Sequence, residues 1–257
     1  MTDTDHERQV HLRTPEELVA VAFGRSRVVM MNEAHSGWQR CIRTREVGRR
    51  VLPAAHEAGT RYLAMEALWP GVAAEANRTR RVPESDKLGY LRQPEMRQLV
   101  QDALHLGFTL VAYEASHEEC VSPGEDPMGM ETTNRREAIQ ARNLAQALAS
   151  LPPDAKVLVW CGNGHLGRAP LGQWSPMGYQ FQVQSGIAPF AISQTRTVVF
   201  PRMPDVARAS VERLVVAYAP HLLSLGGTAG WLTEEAPHHL RSHFQDAFLL
   251  SVQNDLE

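Results

Sequence analysis

Four short apolar runs in this chain each end in a carboxylate or a histidine: residues 28–35 (VVMMNEAH), 62–66 (YLAME), 109–114 (TLVAYE) and 157–165 (VLVWCGNGH). A continuous apolar run of this length is what a strand needs when helices cover both of its faces. Helix-like stretches separate the runs. The alternation predicts an α/β chain with a mainly parallel central sheet flanked by helices. In such a sheet a ligand binds beyond the carboxyl ends of the strands. Glu33, His35, Glu66, Glu114 and His165 are therefore expected on one rim, as an acid and base cluster fit for proton transfer or metal ligation.

The remaining elements follow from local signals. Thr14-Pro15-Glu16-Glu17 reads as a capping box opening a helix, with residues 1–13 polar and loose. Helices are expected over 39–57, 94–106 and 133–149, and strands over 61–67, 108–115 and 156–160. Residues 69–93 read as a surface excursion. Two turn-rich segments, 116–133 and 169–189, read as rim loops that can border a site. Beyond them the pattern predicts a strand over 190–199, helices over 205–217 and 234–244, and a last strand over 246–252. No fixed-period repeat divides the chain, so 1–257 is read as one domain, a length sufficient for a sizeable core.

Charge and cysteine usage narrow the function classes. A formal net charge of −3, from 26 basic and 29 acidic residues, gives no long-range pull toward nucleic acid or an anionic membrane. The apolar runs are too short to span a bilayer. Cys41, Cys120 and Cys161 are widely spaced and form no CxxC pair, which points away from a zinc knuckle or disulfide framework. The N-terminal stretch carries no apolar core of the signal-peptide type. A reduced cytoplasmic compartment is the expectation. Composition leaves the oligomeric state open.

Several residues bear chemistry. Glu33 and His35 are two apart in an extended segment and so share a face; the pair either works in the rim or merely meets solvent. Glu66 ends an apolar strand, where it shares protons or holds a cation, or else forms a salt bridge to an arginine such as Arg61 or Arg136. Glu114 is similar, unless it belongs with Glu118 and Glu119 to a loop surface. His165 follows a strand through Gly162-Asn163-Gly164, a turn that allows close approach to a ligand, and the Asn163 amide suits a developing oxyanion. Cys161 reads as a buried thiol. Of the tryptophans, Trp38 and Trp174 lie nearest the rim and are the candidates for substrate contact, whereas Trp69 and Trp231 read as core. His239 and His243 can share a helix face, without a third metal ligand in view. GxSxG, HExxH and P-loop motifs are absent.

Taken in order over residues 28 to 168, NEAH with its following basic helix, LAMEAL, VAYEA, REAIQARNLAQAL and VLVWCGNGHLG resemble the erythromycin esterase/ChaN/TIKI-like superfamily. The resemblance implies His35 as a general base activating water, Glu33 and Glu66 orienting it, His165 polarising a substrate carbonyl, and Arg136 as a helix arginine near the site. It also brings haem, through ChaN-like members, and metal-dependent peptidases, through TIKI-like ones.

The expected activity is hydrolysis of an ester, lactone or amide in a small molecule or short peptide, with no certain cofactor. Three alternatives stay open: a hydrolase dependent on Mn, Zn or Fe, a natural-product tailoring enzyme performing a cyclisation or elimination, and a haem or small-ligand binding protein with His165 or a methionine of 128–130 as axial ligand.

Overall fold

The computed structural model describes residues 11–34, 41–84, 89–199 and 203–252. Its elements in chain order are α1 (Pro15–Arg25), β1 (Val28–Glu33), α2 (Ile42–Glu57), β2 (Tyr62–Met65), α3 (Pro70–Thr79), α4 (Pro94–His105), β3 (Thr109–Ala112), α5 (His117–Cys120), α6 (Met130–Ala149), β4 (Val157–Gly162), α7 (Met177–Ser185), β5 (Phe190–Ser193), α8 (Asp205–Ser224), β6 (Thr228–Leu232) and β7 (Ala247–Ser251). The strands form one sheet in the order β3-β2-β4-β1-β5-β7-β6. Every neighbouring pair is parallel except β6 with β7. The expected α/β architecture is what the chain adopts.

Alternation along β1 explains its unbroken apolar sequence. Val29 and Met31 enter a core with α1, α2 and α4, while Val28 and Met30 face a second core with α6 and α7. All six residues of β1 and of β4 are buried, as central parallel strands require. Close packing extends to backbone level. A Cβ at Gly48 of α2 would lie 2.5 Å from Leu99 Cδ1 and 2.5 Å from Trp160 Cη2, so a side chain there would push α2 off the sheet. The capping box of α1 is present, with Thr14 and Glu17 each accepting from the other's backbone N–H.

Several expectations are corrected. Residues 69–93 are no mere surface excursion: Pro70 opens α3, whose Ala73 and Ala76 pack into the core. The 169–189 segment contains α7, anchored by buried Met177 and Phe181. Strand β5 stops at Ser193, and a 3-10 turn follows at Thr195–Thr197. Residues 234–244 are not a helix but hold one 3-10 turn, His238–Leu240, so His239 and His243 share no helix face. Strand β6 was not expected: its central Gly230 obscures the strand pattern, yet a Cβ there would meet the Phe248 carbonyl oxygen at 2.0 Å. Residues 11–13, expected loose, are tied down at Arg13, whose backbone exchanges hydrogen bonds of 2.9 and 2.8 Å with Gly230. Among the described residues no helix is long and apolar enough to cross a membrane.

Candidate active site

Sheet register brings the strand ends to one level. Met65 of β2 pairs with Trp160 of β4, and Glu33 of β1 pairs with Gly162. Glu66, one residue past β2, therefore reaches β4: its backbone N–H donates to the Trp160 carbonyl at 3.0 Å, and its carboxylate accepts the Gly162 N–H. The other carboxylate oxygen of Glu66 accepts from Arg136 Nη2 at 2.8 Å. Arg136, on α6, also forks onto Glu114, with Nη2 at 2.9 Å and Nε at 3.2 Å from its two oxygens. Glu114 further accepts from Gln140 Nε2 at 2.8 Å and from the backbone N–H groups of Ala67 and Ala115. Both carboxylates are thus gathered on one guanidinium. The salt bridge weighed for Glu66 is present with Arg136, and Glu114 is buried rather than part of a loop surface.

His165 completes the cluster. Its Nε2 lies 3.6 Å from Glu66 Oε1, and its Nδ1 lies 2.7 Å from Glu137 Oε1, a charge contact rather than an aligned hydrogen bond. Burial alone would push the imidazole pKa down. The Glu66 charge and the Glu137 contact more than reverse this and hold it at about 9. His165 is therefore an imidazolium at neutral pH. Arg136 is likewise held charged: burial opposes its charge, and Glu66 and Glu114 overcome that opposition.

Glu137 was missed by sequence reasoning. It is 1% exposed, accepting the Trp174 indole N–H at 3.1 Å and the Met177 backbone N–H at 2.6 Å. A signal was available: Glu137 stands in helical register with Ala141, Leu144 and Leu148, the buried stripe of α6. Trp174 sits edge-on to His165 with ring centroids 6.4 Å apart. Gly164 makes that possible, since a Cβ there would lie 2.4 Å from Trp174 Cη2.

The other predicted residues are distributed differently. Glu33 turns toward α2, where Arg45 holds it through two contacts of 2.8 and 3.1 Å and the Trp160 indole donates at 3.2 Å. Tyr90 links the two groups: after burial, Glu66 and then Glu33 raise its hydroxyl pKa. Asn163, at φ +31°, donates its backbone N–H to the Glu33 carbonyl and lines a separate cavity of about 530 Å³ on another side of Trp174. His35 and Trp38 lie outside the described residues. Cys161 is buried and its thiol pKa is pushed well up, by burial first and then by Glu66. That keeps it protonated and weakly nucleophilic.

Arg136, Glu114, Glu137, His165 and Trp174 line a cavity of about 990 Å³ at the carboxyl end of the sheet. Ser116, Val121, Met128 and Thr133 of the 116–133 segment border it. Trp69 borders it too and is 40% exposed, which corrects its reading as core. Among the described residues no three His, Cys, Asp or Glu side chains are arranged to hold a metal ion. The three cluster carboxylates, Glu66, Glu114 and Glu137, are paired with two cations, Arg136 and His165. Chemically, the cluster offers two fixed cations beside a large opening, suited to polarising a carbonyl or stabilising an oxyanion.

No protein-family model matches the chain, and no curated protein matches it. Among solved structures the chain is similar to RRSP, a MARTX toxin effector domain from Vibrio vulnificus CMCP6, at 15% identity over 71% of this chain and 36% of that one, with a TM-score of 0.52. It is also similar to two structures described as bacterial protein toxins. One has 13% identity and a TM-score of 0.51, the other 14% and 0.50, each over 71% of this chain and 36% of theirs. The chain spans about a third of the length of these neighbours. At such identities the likeness establishes a shared fold. The neighbours found are a toxin effector domain and bacterial protein toxins, not erythromycin esterase/ChaN/TIKI-like proteins, and this corrects the family expected from the motif order. Short polar motifs at successive strand ends are what any parallel sheet with a rim site imposes, so their order specifies the architecture more than the family.

Proposed function

We propose that the chain is a hydrolase that cleaves an ester, lactone or amide bond in a small molecule or short peptide. The observation carrying this reading is the set Glu137–His165–Glu66–Arg136 beside the 990 Å³ cavity. In the proposed reaction the substrate carbonyl approaches His165 and Arg136, which polarise it and stabilise the oxyanion formed when water adds. The imidazolium then donates its proton to the departing oxygen or nitrogen and recovers one from solvent. Glu66 and Glu137 hold His165 in its charged form and fixed in place. His35, two residues beyond Glu33 in the chain, is the proposed base that takes the proton from water. Donation by a positioned acid contributes roughly 10² to 10⁴ in rate.

The test is an ester, lactone and amide panel with purified protein, followed by His165→Gln and Glu66→Gln. The expected result is a fall of about 10² to 10⁴ in kcat for each variant, with the far-ultraviolet circular dichroism spectrum unchanged. Parent-like rates in both variants would overturn the assignment.

A further inference from the structure

Three consecutive residues of α6 act on three parts of the cavity. Glu137 holds His165 and Trp174, and Arg136 holds Glu66 and Glu114. Arg135 holds the 116–133 segment, forking onto Glu125 at 2.6 and 2.9 Å. That fork pulls the Glu125 carboxyl down to about 2, with the Ser122 backbone N–H donating at 2.8 Å to the same carboxylate. The next residue, Asp126, organises the tip. Its side chain accepts the Met128 N–H at 2.9 Å, and its carbonyl accepts from the Gly129 N–H at 3.0 Å and from Thr132 Oγ1 at 2.8 Å.

The segment so fixed displays Met128 with 87% of its surface in solvent, on the cavity lining. Trp69, from the turn before α3, borders the same cavity, as do Val121 and Pro127. The cavity lining thus includes the charged, buried Glu137 and His165 and the apolar, exposed Trp69 and Met128. The other large exposed apolar side chains, such as Val183, Val206, Val216 and Leu223, lie away from it. A polarisable methionine and a tryptophan face held in water next to a polar site form a surface suited to an apolar group of the ligand.

We propose that Trp69 and Met128 form a subsite for a large apolar group attached next to the scissile carbonyl, so that the substrate is an amphipathic acyl compound rather than a small polar one. This rests on the hydrolase reading for its chemistry but not for its binding. Two sources can supply such a group: the acyl chain of a small ester or amide, or the side chain of the residue before a peptide bond.

The experiment compares kcat/KM for 4-nitrophenyl esters and 4-nitroanilides carrying acyl chains from acetyl to octanoyl, alongside short peptides with Ala or Leu before the scissile bond. The expected gain is about threefold per added methylene, slightly under the roughly fourfold of complete burial. The slope should flatten in Met128→Ser and in Trp69→Ala and persist in Val216→Ser, a surface control on α8. A steeper gain for acyl chains than for the Leu peptide identifies a small-molecule source, and the reverse identifies a peptide. A flat slope in the parent protein overturns the subsite. If nothing is hydrolysed, the hydrolase reading fails, and binding of the uncleaved compounds, read by calorimetry, then decides the subsite. Affinity that rises with chain length and is lost in Met128→Ser supports it, whereas flat or undetectable affinity overturns it.

Discussion

An imidazole set between two carboxylates is a different reagent from a free histidine. With Glu66 and Glu137 both facing it, His165 is an acid over the whole neutral range rather than a base. Replacing Glu137 by Gln removes one of the two anions and keeps one oxygen acceptor, where Glu137 offers one oxygen to Trp174 and the other to Met177. The expected outcome is an alkaline limb of the pH–rate profile that moves from about 9 to lower pH by roughly one unit or more; an unmoved limb would show that Glu137 does not charge His165. At this scale much of the site was legible. Glu66, Glu114 and His165 stood out as polar ends of apolar runs, and Arg136 as one of two arginines weighed as a salt-bridge partner for Glu66. Glu137 was not, because an acid in an arginine-rich helix reads as solvent-facing until its register with the buried stripe is counted. Arg45 was hidden likewise: a fully buried arginine in a basic helix has no local mark, only a partner, Glu33, twelve residues earlier.

Elements were legible where burial imposed an unbroken pattern. The strands β1 to β4 and helices α1, α2, α4 and α6 all have sequence periods that match their surroundings. Strand β6 and helices α3 and α7 were not read. In β6 a glycine sits where Phe248 approaches too closely for a side chain, and α3 buries only small alanines, which leave little periodic contrast. Tight contacts of this kind carry a testable cost. Gly48 lies where α2 crosses Leu99 and Trp160. Gly48→Ala is expected to destabilise the protein by about 1–3 kcal/mol through overpacking, despite the better helix propensity of alanine. Urea unfolding measures this, and a midpoint at or above the parent's would mean the two layers can slide apart freely.

At the scale of the molecule, the site links stability to pH. His165 titrates at about 9 in the folded chain and near 6.5 when unfolded. Between these values the folded state holds a proton that the unfolded state has lost. Its contribution is therefore full below about pH 6.5 and disappears as pH rises through about 9. The expected outcome is a melting temperature that falls across this window and falls less in His165→Gln; identical profiles would remove His165 from the linkage. The charged state of His165 underlies both the proposed chemistry and this stability profile, and it can be observed on the residue itself. Nuclear magnetic resonance titration of histidine-labelled protein, with His165 assigned by comparison with His165→Gln, should give an imidazole pKa of about 9. A value at or below 6.5 would contradict the account.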